Sequence, residues 1–234
     1  MRKITVEICA SSLPSALAAY KGGAERIELC SALSLDGLTP TIGTIRYIKD
    51  HTNLIINALI RPREGSFVFD KAETAQMVAD IRAAAEAGCS GAVVGALTPS
   101  GLIDMEVSRA LVEAARECGL TVTYHRAVDY AKDTLKALES VLELAPDRIL
   151  TSGGAAKAEE GIPVIRKMVE MASGRALIMA GSGVNSSNAA RIVAETGAAE
   201  VHLSATIMDE VLGLKVTSSE EVSKVCASLA AICV

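Results

Sequence analysis

The 234-residue chain predicts a single-domain α/β protein, a (β/α)8 TIM barrel spanning residues 1–234, and three observations carry that expectation. Short β-branched runs alternate with longer amphipathic stretches along the whole length, which implies a parallel sheet with right-handed crossovers. Eight such runs occur, and eight strand–helix units suit a closed barrel of about 250 residues better than an open sheet. The alternative, a doubly wound nucleotide-binding sheet, places a G-x-G-x-x-G after its first strand, and none stands there. No linker or change of composition divides the chain.

The elements follow from local pattern. Strands are read at 3–8 (KITVEI), 26–30 (RIELC), 53–60 (NLIINALI), 91–97 (GAVVGAL), 120–125 (LTVTYH), 148–152 (RILTS), 176–181 (ALIMAG) and 200–205 (EVHLSA). Between them lie helical stretches such as 71–88 and 104–119, both ending in Gly as helix C-termini often do. Asp104 is placed to cap the second of these, and Ser218 or Ser219 to cap a last helix over 218–232.

Composition removes several function classes. Half the residues are apolar and only 3% aromatic, which gives an aliphatic core. No apolar run reaches the roughly 18 residues needed to cross a bilayer. The opening MRKITVEIC has a strand pattern rather than a signal-peptide layout. The expectation is a cytoplasmic protein without membrane association. A net charge of −5, no dense basic stretch and no Trp argue against nucleic-acid binding. The six cysteines show no C-x-x-C spacing and read as thiols. Cys89, Cys118, Cys226 and Cys233 fall at helix ends or in the last helix and read as structural. Apolar helix faces permit a homo-oligomer, without a specific seam.

The polar residues concentrate where a barrel keeps its active site, at the C-terminal ends of the strands. Glu7 and Cys9 end the first strand, and Glu28 and Cys30 the second, each pair spaced i, i+2 and so on one face. Facing the helices, both carboxylates would be buried in aliphatic packing, so both are expected to point into the barrel. Closure sets the eighth strand beside the first, which brings His202 toward Glu7, Glu28 and Arg61. Glu7, Glu28, His125 and His202 are candidate acid–base residues. The competing reading is an ion-pair layer of Glu7 and Glu28 with Arg61, and core histidines.

Arg61, Arg63 and Arg126 end strands at the mouth, where Arg suits carboxylate or phosphate binding. Ser152, Gly153 and Gly154, and then Gly181, Ser182 and Gly183, form loops leading into helices. Such loops hold anions through backbone N–H groups, or they are tight turns that need Gly. Cys9 and Cys30 read either as small buried hydrophobes or as soft donors suited to Cu(I).

In order along the chain, VEIC, RIELC, DGLTP, IRPR, GAVVGALT, YHRAVD, RILTSGG, GSGV and HLSA resemble the motifs of the CutC copper-homeostasis family over about residues 3–205. The chain departs from the family's usual pattern in mouth loops, at Asp36, at Glu64–Ser66 and at Ala180. The resemblance implies a (β/α)8 barrel, a cytoplasmic location and a link to copper tolerance. It also implies that Cys9 and Cys30 match two cysteines proposed in the family as Cu(I) ligands. Two functions stand side by side. One is copper homeostasis through Cu(I) held by Cys9 and Cys30. The other is an enzyme acting on a small anionic or phosphorylated substrate at the Arg- and Gly-lined mouth.

Overall fold

The computed structural model describes residues 3–230, so Cys233 and the last two residues read into the final helix lie outside the described residues. Eight parallel strands close into a barrel in chain order. They are β1 (Thr5–Ala10), β2 (Arg26–Leu29), β3 (Ile55–Leu59), β4 (Gly91–Val94), β5 (Thr121–Tyr124), β6 (Arg148–Thr151), β7 (Leu177–Gly181) and β8 (Glu200–Leu203). Helices α1 (Leu13–Lys21), α2 (Ile42–His51), α3 (Lys71–Glu86), α4 (Met105–Glu117), α5 (Thr134–Glu143), α6 (Ile162–Ala172), α7 (Ala189–Thr196) and α8 (Ser219–Ala230) surround it.

β1 keeps the expected length but lies two residues later than the sequence reading, and the other strands are shorter. His125, Ser152 and Ser204 end no ladder but stand one residue beyond it, in the loops of the mouth. The pattern cannot separate a strand's last residue from the loop residue that continues its alternation. Helix starts are set by the expected chemistry. Asp104 accepts from the Val107 amide at 3.0 Å, and Ser218, of the two candidates, accepts from the Glu221 amide at 3.3 Å. At α3, Asp70 and Glu73 form a reciprocal capping box.

The sequence reading left 206–217 unassigned. That segment is an antiparallel hairpin, β9 (Thr206–Asp209) and β10 (Leu214–Thr217), inserted between β8 and α8. Its alternation is masked because Ile207, Met208, Leu212 and Leu214 are apolar yet exposed. The Thr217 amide ties its end to Ser15 Oγ at 3.1 Å.

The main core lies between strands and helices, filled by residues such as Ile8, Ile27, Ile56, Ile81 and Leu138. Inside the barrel the filling is different. A small apolar cluster of Cys9, Cys30, Leu59 and Val93 sits at the mouth. Next to it the interior is ionic: Arg26 Nε donates to Glu7 Oε2 at 2.7 Å, and its NH1 and NH2 groups engage both oxygens of Glu200. Arg148 lies 3.2 Å from Glu200 as well. Glu7, Arg26 and Glu200 are all nearly inaccessible, so each charge depends on the others. Among the described residues no helix is long and apolar enough to cross a membrane.

Candidate functional site

Register assembles the site. Pairing of β1 with β2 sets Cys9 beside Glu28, and pairing of β1 with β8 sets Glu7 beside His202. A cavity of about 390 Å³ opens at the mouth, lined among others by Cys9, Glu28, Cys30, Arg61, His125 and His202.

At one end of the cavity soft and borderline donors converge. Cys9 Sγ lies 3.9 Å from Cys30 Sγ and 3.8 Å from Glu28 Oε1. One donor atom each from Cys9, Glu28 and His202 fall within 4.8 Å of one another. His202 Nδ1 lies 3.0 Å from Glu7 Oε1, so the carboxylate orients the ring and Nε2 is the nitrogen left for the cavity. Two sulfurs bound to one tetrahedral ion at about 2.3 Å each would stand roughly 3.8 Å apart. The observed spacing fits that geometry, and the two thiols suit Cu(I).

Electrostatics set the resting protonation. Burial pushes the Glu7 carboxyl up, but His202, Arg26 and Asn57 outweigh it and hold it at about 2. Burial pushes Glu28 above the usual carboxylate range. Burial opposes charge on His202, yet Glu28, Cys9 and Glu7 raise it well above the ordinary imidazole value. Sharing a hydrogen bond with Cys30, together with burial, raises the Cys9 thiol. His202 and the Cys9 thiol therefore hold protons at rest, and a metal ion would displace them.

Several expectations need correction. Glu7 does not line the cavity. It is fully buried behind His202, with Arg26 Nε and Asn57 Nδ2 donating to Oε2 at 2.7 and 2.8 Å. Its contacts are with His202, Arg26 and Asn57 and not with the cavity. An ion-pair layer does exist, but Arg26 fills it instead of Arg61, which donates to the carbonyls of Leu35, Gly37 and Gly65. Arg63 points away and pairs with Glu73 at 2.5 Å, fastening the loop to the α3 cap.

Ser152, Gly153 and Gly154 do not offer a free anion cradle, because the chain supplies its own anion. The amides of Ser152 and Gly154 donate to Asp129 at 2.8 and 2.9 Å. The Gly153 amide goes to Thr151 Oγ1, and Arg126 pairs with Asp129 at 2.9 Å. Gly181 leaves room for its neighbours: a Cβ there would stand 2.5 Å from Leu150 Cδ1, which would have to shift. Ser182 and Gly183 do line the cavity, although the Ser182 hydroxyl is spent on the Ala156 carbonyl at 2.8 Å. Arg126 and His125 also line it. A Cβ at position 95 would stand 2.5 Å from the His125 ring, so Gly95 makes room for it.

Arg26, Asn57 and Glu200 are the residues that motif reading missed, and Asp129, one of the polar residues in YHRAVD, has a partner that spacing does not show. Arg26 had a signal in the sequence. It stands i−2 from Glu28 and i−4 from Cys30 and so shares their face.

A model of the CutC family matches residues 4–207, ending where the β9–β10 hairpin begins. A family protein CutC of Aliivibrio fischeri is 46% identical over 201 residues, covering 86% of this chain and 81% of the relative. One of Bacteroides thetaiotaomicron is 46% identical over 206 residues, covering 88% and 82%. The crystal structure of a candidate copper homeostasis protein CutC from Streptococcus agalactiae agrees with a TM-score of 0.80 at 33% identity, over 86% of this chain and 98% of that one. Phosphoribosyl anthranilate isomerase from Thermotoga maritima, at 11% identity and a TM-score of 0.60 over 98% of this chain and all of its own, shares the barrel fold alone.

Proposed function

From the premise that the chain belongs to the CutC family, we propose that it is a cytoplasmic copper-handling protein holding one Cu(I) ion at the mouth of its barrel. Cys9 and Cys30 are the primary donors, and His202 Nε2 and Glu28 flank them. The observation that carries this reading is the convergence of two sulfurs 3.9 Å apart with the Cys9, Glu28 and His202 donor cluster. Thiolates suit soft ions, Cu(I) and Zn(II) among them, over Mg(II) and Ca(II). The five described cysteines are free, in keeping with a reducing compartment. Glu7 acts behind the metal, fixing the His202 tautomer and ring orientation.

The test is a Cu(I) titration against a chromogenic chelator, on wild type and on Cys9→Ser/Cys30→Ser. One-to-one binding tighter than cellular thiols, lost in the double variant, supports the reading. Weak binding, or binding unchanged in the variant, refutes it. The same assay with Zn(II) distinguishes the ion, because the imidazole and carboxylate also suit zinc.

A further inference from the structure

The polar groups that a copper site leaves unused gather in one stretch of the cavity lining. Arg61 and His125 are only 3% and 6% exposed, and each carries a buried nitrogen without a partner, Nε of Arg61 and Nε2 of His125. The Ala127 amide donates to His125 Nδ1 at 3.1 Å. In the neutral ring this leaves the hydrogen on Nε2. Burial, followed by the Arg61 charge, lowers the His125 pKa to about 3, so the ring is neutral near pH 7. Its unpaired nitrogen is therefore a donor, as is Arg61 Nε.

Aromatic packing joins the stretch. Arg61 Cζ lies 5.0 Å from the Phe67 ring centre, and the His125 ring lies 4.9 Å from it. Tyr130 packs on Phe67 at 5.5 Å, and Arg126 Cζ lies 5.9 Å from the Tyr130 ring centre. Arg126 donates to Asp129 and Ser152 through Nε and NH2, leaving NH1 uncommitted. Arg61, Arg126 (paired on one side with Asp129) and a neutral imidazole thus line one cavity, and the two buried side-chain atoms of the stretch without a partner, Arg61 Nε and His125 Nε2, are both donors. Arg61 is buried and forms hydrogen bonds only to neutral carbonyls. A buried cation and an unpaired donor are costly to keep without an acceptor. An oxyanion supplies both acceptor atoms and charge.

We infer that Arg61, His125 and Arg126 form an oxyanion subsite that takes the carboxylate or phosphate end of a small organic acid. The cavity volume of about 390 Å³ suits such a molecule. Leu59 and Leu150 in the lining meet its carbon skeleton. His125 serves there as a neutral hydrogen-bond donor, and neither as acid nor as base. Its free N–H donors offer a copper ion no lone pair to bind.

The test uses metal-free full-length protein, so its outcome does not depend on the copper reading. Inorganic phosphate and succinate are titrated separately, followed by calorimetry and by the ¹⁵N resonance of His125 Nε2. The expected result is saturable binding of at least one probe, a shift of that resonance, and binding about tenfold weaker in both His125→Phe and Arg126→Gln. Phosphate alone binding identifies a phosphorylated ligand, and succinate alone a carboxylate. Arg126→Gln carries the test by itself if His125→Phe does not fold. No binding of either probe at millimolar concentration overturns the proposal. So does binding that leaves the His125 resonance and the variant affinities unchanged.

Discussion

Glu7 and His202 are separated by 195 residues of sequence and by 3.0 Å in the barrel. The contact turns a buried carboxylate into the support of a cavity-facing imidazole. Glu7→Gln keeps the shape but removes the charge that orients the ring. The expected consequence is a Cu(I) affinity lower by about 10–100-fold, read by chelator competition, with both thiols intact.

Metal binding is expected to strengthen with pH. His202 is held protonated, chiefly by Glu28 once burial is overcome, and the Cys9 thiol is raised. An ion must displace these protons. Titrations between about pH 6 and 8 should show affinity rising with pH and proton release on binding. A flat profile would contradict the assigned protonation.

Acid should act through Glu7. Its carboxyl titrates at about 2 in the fold and near 4.5 when free. The folded value is depressed, so its stabilisation is fully present above 4.5 and is lost as pH falls toward 2. The contribution is on the order of 3 kcal/mol. Denaturant unfolding at stepped pH should lose stability in that window, and Glu7→Gln should flatten the loss.

Arg26 binds two carboxylates, Glu7 and Glu200, inside the barrel. Arg26→Met removes the cation shared by both, leaving Glu7 with His202 and Glu200 with Arg148 alone. The expected cost is about 3–5 kcal/mol in chemical denaturation. Arg63→Met breaks a half-exposed pair with Glu73 and should cost about 1 kcal/mol or less.

Asp129 fills the anion-binding loop after β6. Asp129→Asn replaces an acceptor of two backbone amides and an arginine with a group that is half donor. A loss of about 1–3 kcal/mol is expected, with Cu(I) affinity unchanged because the thiols are untouched.

The fold was legible because the alternation of strand and helix patterns survives in eight copies. The paired Glu-x-Cys ends were legible because period-two alternation fixes which residues share a face. Closure then placed His202 beside Glu7 without further information. The ionic layer was half visible: Arg26-x-Glu28 and Glu200-x-His202 share the same alternation, yet Arg26 and Glu200 sit at strand starts, where a charge reads as a boundary. The occupant of the loop after β6 was not legible, because Asp129 returns to it through the 126–130 turn and not by spacing. The hairpin was missed because exposed apolar residues erase the pattern that marks a surface strand.

The ring of charges inside the barrel has a consequence for synthesis. Arg26 and Glu200 lie 174 residues apart, so a chain emerging from the ribosome displays both thiols long before Glu200 and His202 exist. Until β8 docks against β1, Arg26 lacks one of its two carboxylates and the sulfurs lack their imidazole neighbour. The Cys9, Glu28 and His202 cluster is thereby completed only at the last step of ring closure. On the proposed copper function, a truncated or half-folded chain would offer the ion its thiols alone, and only the closed barrel would offer the full donor set.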